Sequence, residues 1–182
     1  MTLPDPALQR LLDAVAFAAR AHRTQLRKDN ATPYHSHVFR VCLIVRHVFG
    51  IDDPAVLTAA VLHDTIEDTT TDFDDLEERF GPEVAGWVAL LSKDKRMRDD
   101  ERERAYCDNL RAAPWQVKLC KLADLYDNIT DSAFLTPDKR PRTYQRSRRY
   151  LDALAAPDLP PPVQRAFQTV AALLERFQAG AV

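Results

Sequence analysis

An adjacent His63-Asp64 pair is followed four residues on by an adjacent Glu67-Asp68 pair, within Val61-Leu-His-Asp-Thr-Ile-Glu-Asp-Thr69. At about 100° per residue, a helix places these four ionisable groups within an arc of about 140°, with Ala55, Ala59, Leu62 and Ile66 on a separate apolar stripe. Three carboxylates and an imidazole on one short face repel one another and resist burial unless a cation neutralises them. The stretch reads as half of a metal site, and its partners must come from elsewhere in the chain.

The other histidines are His22, His35, His37 and His47. His22 lies on the apolar face of the first amphipathic segment and reads as packed or hydrogen-bonded. His47 ends a segment where an imidazole complements the negative end of the helix dipole. His35 and His37 both stand at the start of the second helix, and spacing alone does not choose between them as ligands. A second acidic face comes later, where Leu119, Leu122, Tyr126 and Ile129 repeat at helical spacing and leave Lys121, Asp124, Asn128 and Asp131 on the opposite side.

The elements that must position these groups are helical. Only four glycines occur in 182 residues, strand-like alternation is scarce, and apolar residues recur at 3 and 4 spacing, so the expected fold is all-α with about eight to ten helices. At 46% hydrophobic the chain fits one compact domain over residues 1–182. The pattern predicts a first helix from Pro4 and Pro6 to about Gln25, with Leu8, Leu11, Leu12, Val15, Ala18, Ala19 and His22 on one face. A second covers 34–48, carrying Val38, Val41, Cys42 and Val45 inward and stopping at Gly50. Asp53-Pro54 opens the central helix; Thr71 or Asp72 caps the next, with Phe73, Leu76 and Phe80 inward to Gly81-Pro82. Another helix runs from Glu83 to Leu91. Lys93 to Arg111 mixes seven basic with six acidic residues, a composition expected of a solvated helix or mobile loop. Pro160-Pro161-Pro162 reads as a stiff connector to a closing helix over about 161–179.

A formal net charge of −2 gives no global pull toward nucleic acid or an anionic membrane. The cysteines, Cys42, Cys107 and Cys120, are odd in number and lack CxxC spacing, which points to a reducing compartment. Charged residues Asp5, Arg10, Asp13 and Arg20 break the first segment, so no signal peptide or spanning segment is expected and the protein is read as cytoplasmic. No heptad seam marks an oligomer interface, and the oligomeric state stays open.

The series Ala21-His22-x-x-Gln25-x-Arg27-Lys28, Thr32-Pro33-Tyr34-x-x-His37, Ala59-Ala60-Val61-Leu62-His63-Asp64-Thr65-x-Glu67-Asp68, Phe80-Gly81 and Lys121-Leu-Ala-Asp124-x-x-x-Asn128 resembles the HD-domain hydrolases of the RelA/SpoT group. These enzymes hydrolyse the alarmones ppGpp and pppGpp. The match keeps order and spacing over roughly residues 15–150. The short length resembles the stand-alone small alarmone hydrolases, among them the metazoan SpoT homologue.

The resemblance implies a single HD-domain helical bundle in which His37, rather than His35, joins His63, Asp64 and Asp124 around one divalent metal per chain, typically manganese. Two imidazoles and two carboxylates suit a hard to borderline cation. It further implies that Glu67 and Asp68 orient and deprotonate the attacking water, and that Arg27, Lys28 and Asn128 bind the nucleotide. Lys95 and Arg140 fall near its phosphate-binding cations, while Arg142, Arg146, Arg148 and Arg149 read as surface. The expected activity is a manganese-dependent (p)ppGpp 3′-pyrophosphohydrolase. Leu125 and Asp127 depart from the family, removing a cation and adding an anion. They motivate a related hydrolase of (p)ppApp or NADPH as the alternative. A silent nucleotide- or partner-binding module is the reading from another class, and retention of all four ligands and both acids argues against it.

Overall fold

The computed structural model describes residues 5–180. Ten α-helices occur among them: α1 (Pro6–Ala21), α2 (His35–Leu43), α3 (Pro54–Leu62), α4 (Thr65–Asp68), α5 (Phe73–Phe80), α6 (Pro82–Leu91), α7 (Asp99–Ala112), α8 (Trp115–Asp131), α9 (Arg140–Leu154) and α10 (Pro161–Gln178). A π-helical turn, Ile44–Val48, prolongs α2, and a 3₁₀ turn, Ser132–Phe134, follows α8. The described residues contain no strand beyond an isolated bridge between Leu26 and Pro33. The architecture is all-helical, as the apolar spacing predicts.

The centre of the fold is α3. Asp53 caps it by accepting from the Ala55 and Val56 N–H groups, and Pro54 at the first helical position is pre-set for the turn. Every residue from Val56 to Leu62 is buried, because α1, α2, α6 and α8 surround the helix. A helix apolar on every side is stable in such a position, and its one polar side chain, Thr58, donates to the Pro54 carbonyl at 2.7 Å. Behind it, α10 packs on α8 and α9, and α9 on α7, extending one continuous apolar cluster from Ala14 to Leu174.

Several boundaries differ from the sequence pattern. α1 ends at Ala21 rather than near Gln25, because the buried His22 ring turns to Gln25 Oε1 at 2.7 Å and the chain leaves the helix there. Leu8 and Leu12 stand half exposed, so the inward face of α1 is narrower than predicted. Residues 54–69 are not one helix. The His63 Nδ1 donates to the Ala60 carbonyl at 2.9 Å and the Thr65 hydroxyl to the Leu62 carbonyl at 2.7 Å, which satisfies the end of α3 with side chains. Asp64, at φ −102° and ψ 0°, makes the corner, and α4 restarts after it. Asp72 rather than Thr71 caps α5, in a reciprocal capping box with Asp75. Phe73 is exposed, while Leu76 and Phe80 are buried. Gly81, at φ +85°, joins α5 to α6 in a conformation that a side chain would strain. Lys93 to Arg111 is not merely solvated: α7 buries Tyr106, Cys107 and Leu110. Pro161 and Pro162 begin α10 instead of forming a connector. No described helix is long and apolar enough to cross a membrane.

Candidate active site

The corner between α3 and α4 delivers His63 and Asp64, the start of α2 delivers His37, and the middle of α8 delivers Asp124. One ligand atom from each of His37, His63 and Asp124 lies within 4.8 Å of the others. Asp64 Oδ2 lies 3.0 Å from His63 Nε2 and 3.5 Å from His37 Nε2, while Asp124 Oδ1 lies 3.2 Å from His37 Nε2. His35 is not part of the group: its ring sits beside Phe39.

Each imidazole is oriented from its far side. The Ala60 carbonyl fixes the proton of His63 on Nδ1, and the Asp127 carboxylate, 2.6 Å from His37 Nδ1, does the same for His37. Both Nε2 lone pairs therefore face the carboxylates. His63 Nε2 is buried and, although Asp64 Oδ2 lies 3.0 Å away, makes no well-aligned hydrogen bond; a cation would satisfy it. Without one, burial works against charge on His37, but its hydrogen bonds to the carboxylates of Asp124, Asp127 and Asp64 outweigh it and lift its pKa to about 10. Burial opposes ionisation of Asp64, yet His63 and His37 hold its carboxyl well below the usual range. The cluster keeps its carboxylates ionised and compensates them with protons. A divalent cation supplies the same compensation with the imidazoles neutral, and the two-nitrogen, two-carboxylate set fits one of borderline character.

Asp64 and Asp124 open onto a cavity of about 220 Å³, with His37 and His63 buried behind them. Glu67, Asp68, Arg27, Lys28, Leu125 and Asn128 line it. Glu67 Oε2 accepts the Lys93 N–H at 3.0 Å, and burial pushes its carboxyl above the ordinary range despite that bond. Asp68 stands nearer the mouth, where Lys95 reaches its Oδ1 at 2.7 Å. Lys95 is itself 55% exposed, a rim residue. Arg27 is buried and committed to carboxylates, at 2.7 Å from Asp131 Oδ2 and 3.5 Å from Asp127 Oδ2. Asn128 donates to Asp124 Oδ1.

Arg140 is not brought to this cavity. Its guanidinium donates to the Leu135 and Ala133 carbonyls, and it borders a separate groove with Tyr144 and Arg148. Arg146, read from sequence as a surface cation, is exposed and also lines the cavity. It lies on α9, where a helix of mixed basic residues gives no local signal as to which one turns inward.

Four further residues escaped the sequence reading. The Tyr34 hydroxyl donates to Asp64 Oδ2 at 2.6 Å, and its ring lies between that of His22, tilted against it, and that of His37, to which it stands edge-on. Asp127 does not face the substrate side as an added anion; it is wholly buried behind His37, with Arg40 Nε 2.6 Å from its Oδ1. Lys121 lies 2.7 Å from Asp124 Oδ2 and over the Tyr150 ring at 4.7 Å. Burial disfavours its charge, but Asp124 holds its pKa well above the usual value. Lys93 packs over the Tyr106 and Tyr150 rings and pairs with Glu103 at 2.8 Å, which ties α7 to the site. Of these, Tyr34, Lys121 and Asp127 had a usable signal, since each stands three residues from a candidate ligand. Lys93 depends on contacts with distant segments.

The HD-domain family profile matches residues 14–156. Human guanosine-3′,5′-bis(diphosphate) 3′-pyrophosphohydrolase MESH1 is 44% identical over 128 residues, 70% of this chain and 72% of that protein. The Drosophila melanogaster MESH1 is 41% identical over 129 residues, with the same coverage of both chains. The Escherichia coli bifunctional (p)ppGpp synthase/hydrolase SpoT is 33% identical over 141 residues, 74% of this chain and 20% of that one. Among solved structures, a metazoan orthologue of SpoT that hydrolyses ppGpp superposes with a TM-score of 0.80 at 32% identity, covering 94% of this chain and 97% of its own. With the helical scaffold and the His-Asp corner already in place, these likenesses establish that the chain belongs to the HD-domain family.

Proposed function

We propose that this protein is one HD hydrolase domain that removes the 3′-pyrophosphate of (p)ppGpp, releasing pyrophosphate and GDP or GTP. The observation that carries the reading is the convergence of His37, His63, Asp64 and Asp124 on one point at a cavity whose walls also hold Lys28, Lys93, Lys121 and Arg146. The activity printed for MESH1 and SpoT supports it. Acids at a cation-binding floor and cations around the walls match a substrate rich in phosphate.

His37, His63, Asp64 and Asp124 would hold one divalent cation, which we take to be manganese. When bound, such a cation would polarise a phosphoryl oxygen and lower the pKa of a bound water toward about 7. Glu67, steadied by the Lys93 N–H and raised above the ordinary carboxylate range by burial, takes the proton of the attacking water. Asp68 orients that water from the mouth side. The water oxygen bonds to the phosphorus next to O3′ as the P–O3′ bond breaks; the leaving O3′ takes a proton from water in the open cavity, and Glu67 gives the proton it took back to that water. Lys121 stays charged beside Asp124 and offsets negative charge gathering on the phosphoryl oxygens. Lys28, Arg146 and Asn128 grip the nucleotide, and Arg27 braces Asn128 and Asp131. Lys95 screens the entrance. The three free cysteines fit a reducing cytoplasm.

A nucleotide panel at equal concentration with manganese tests the assignment. ppGpp is expected to turn over faster than ppApp and NADPH, and Asp64→Ala to abolish the reaction. Negligible turnover of ppGpp alongside turnover of either other nucleotide would reverse the substrate assignment. Bound metal without turnover of any nucleotide would favour a silent module.

A further inference from the structure

A second, smaller pocket of about 190 Å³ adjoins the catalytic cavity and shares two wall residues with it, Lys28 and Arg146. Its remaining walls are Lys139 and Arg142, from the start of α9, with Leu135 and Thr143. Four cations thus surround one small space, and no carboxylate lines it. Among the described residues none of the four side chains has an ion-pair or hydrogen-bond partner. Other cations near the site are neutralised: Arg27 by Asp131, Lys93 by Glu103, Lys95 by Asp68 and Lys121 by Asp124. All four side chains reach solvent, and partial desolvation and repulsion from Arg146 and Arg27 lower the pKa of Lys28. Asp138 acts on Lys139 and Arg142, and Asp131 and Asp124 on Lys28, but none of these carboxylates is within ion-pair distance; like charges held together with no paired counter-charge favour an anion.

Given the 3′-pyrophosphohydrolase reading above, we infer that this pocket receives the phosphate chain at the opposite, 5′ end of the nucleotide, with Lys139 and Arg142 setting a preference for longer chains. The 3′ phosphates sit at the His-Asp cluster. Lys28 and Arg146 span both compartments, so a nucleotide reaching from one to the other passes between them. Each additional 5′ phosphate brings further oxygens toward Lys139 and Arg142.

The test compares guanosine 3′-diphosphates carrying one, two or three 5′ phosphates, with wild-type protein and with Lys139→Ala/Arg142→Ala. Both replaced residues are exposed, so the variant should fold, which circular dichroism checks. In the wild type kcat/KM should rise about five- to tenfold from the shortest to the longest 5′ chain, the scale of a charge-assisted contact partly screened by water. The double variant should flatten that ratio toward one, Lys139→Arg/Arg142→Lys should restore it, and 0.5 M salt should compress it in the wild type. Equal kcat/KM for all three nucleotides in the wild type, or an unchanged ratio in the double variant, overturns the subsite and leaves the hydrolase assignment intact. No turnover of any of the three overturns the hydrolase assignment itself.

Discussion

Replacing Asp127 with asparagine should weaken metal binding although Asp127 touches no metal. The carboxylate is fully buried, 2.6 Å from His37 Nδ1, and Arg40 Nε lies 2.6 Å from its other oxygen. Asparagine keeps the shape and can still accept the His37 proton through its carbonyl oxygen. Its amide then points donors at the Arg40 guanidinium, where a charged acceptor used to be. His37 loses the full negative charge that makes its Nε2 a stronger donor to a cation. Loss of such an outer carboxylate typically costs 10- to 100-fold in metal affinity, or about 1.4–2.7 kcal/mol. Titration of metal-stripped protein with Mn²⁺ by calorimetry, against a competing chelator, measures this directly. Arg40→Ala leaves the Asp127 charge in place and should cost less than Asp127→Asn. An Asp127→Asn protein that binds Mn²⁺ as tightly as the wild type, with an unchanged fold, would refute the role given to this carboxylate.

Three other expectations concern catalysis, the loop before α2 and the core. Glu67→Gln keeps the Lys93 N–H contact but cannot accept a proton, so kcat should fall about 10²- to 10⁴-fold with Mn²⁺ affinity nearly unchanged; a smaller fall in kcat would move the base elsewhere. Asp29 accepts from the Ala31 and Thr32 N–H groups and the Thr32 hydroxyl, and these bonds hold its carboxyl at about 2 against an ordinary 3.8. Because the folded value lies below the unfolded one, the stability this group contributes is complete above 3.8 and is lost as pH falls toward about 2; NMR titration should place its midpoint there, and Asp29→Ala should loosen Arg27 and Lys28, raising KM more than it lowers kcat. Leu57→Ala, at the fully buried centre of α3, should cost about 2–5 kcal/mol and lower Tm accordingly; a loss under 1 kcal/mol would contradict α3 as the hub of packing.

The helices that carry the site were legible because one-sided burial imposes a 3.6-residue period on α2 and α8, which survives in the chain as apolar spacing, while α3, buried on every side, shows as a continuous run of small and apolar residues. The ligand candidates were legible because His-Asp, Asp124 and His37 recur at family spacing. What the one-dimensional pattern could not carry was direction. The corner at Asp64 depends on His63 and Thr65 side chains capping the end of α3, an alternative to continued helix that composition does not reveal. Asp127 looked like an anion added beside the substrate, whereas α8 turns it to the back of His37. Arg140 and Arg146 are six positions apart on one basic helix, and only the packing of α9 on α8 decides that the second faces the cavity. Lys93 enters through the junction of α6 and α7, where charge density suggested solvent. At the corner the missing information was a local side-chain cap, and in the other cases it was a contact between distant segments.

The central claim is that one cation, held by four side chains, cleaves the 3′ linkage. Metal-stripped protein titrated with Mn²⁺ in the presence of ppGpp, with released pyrophosphate and GDP counted at each addition, tests it most directly. The account predicts equal amounts of the two products and a rate that saturates at one equivalent of Mn²⁺ per chain. Saturation only at two equivalents, or product other than pyrophosphate and GDP, would contradict it.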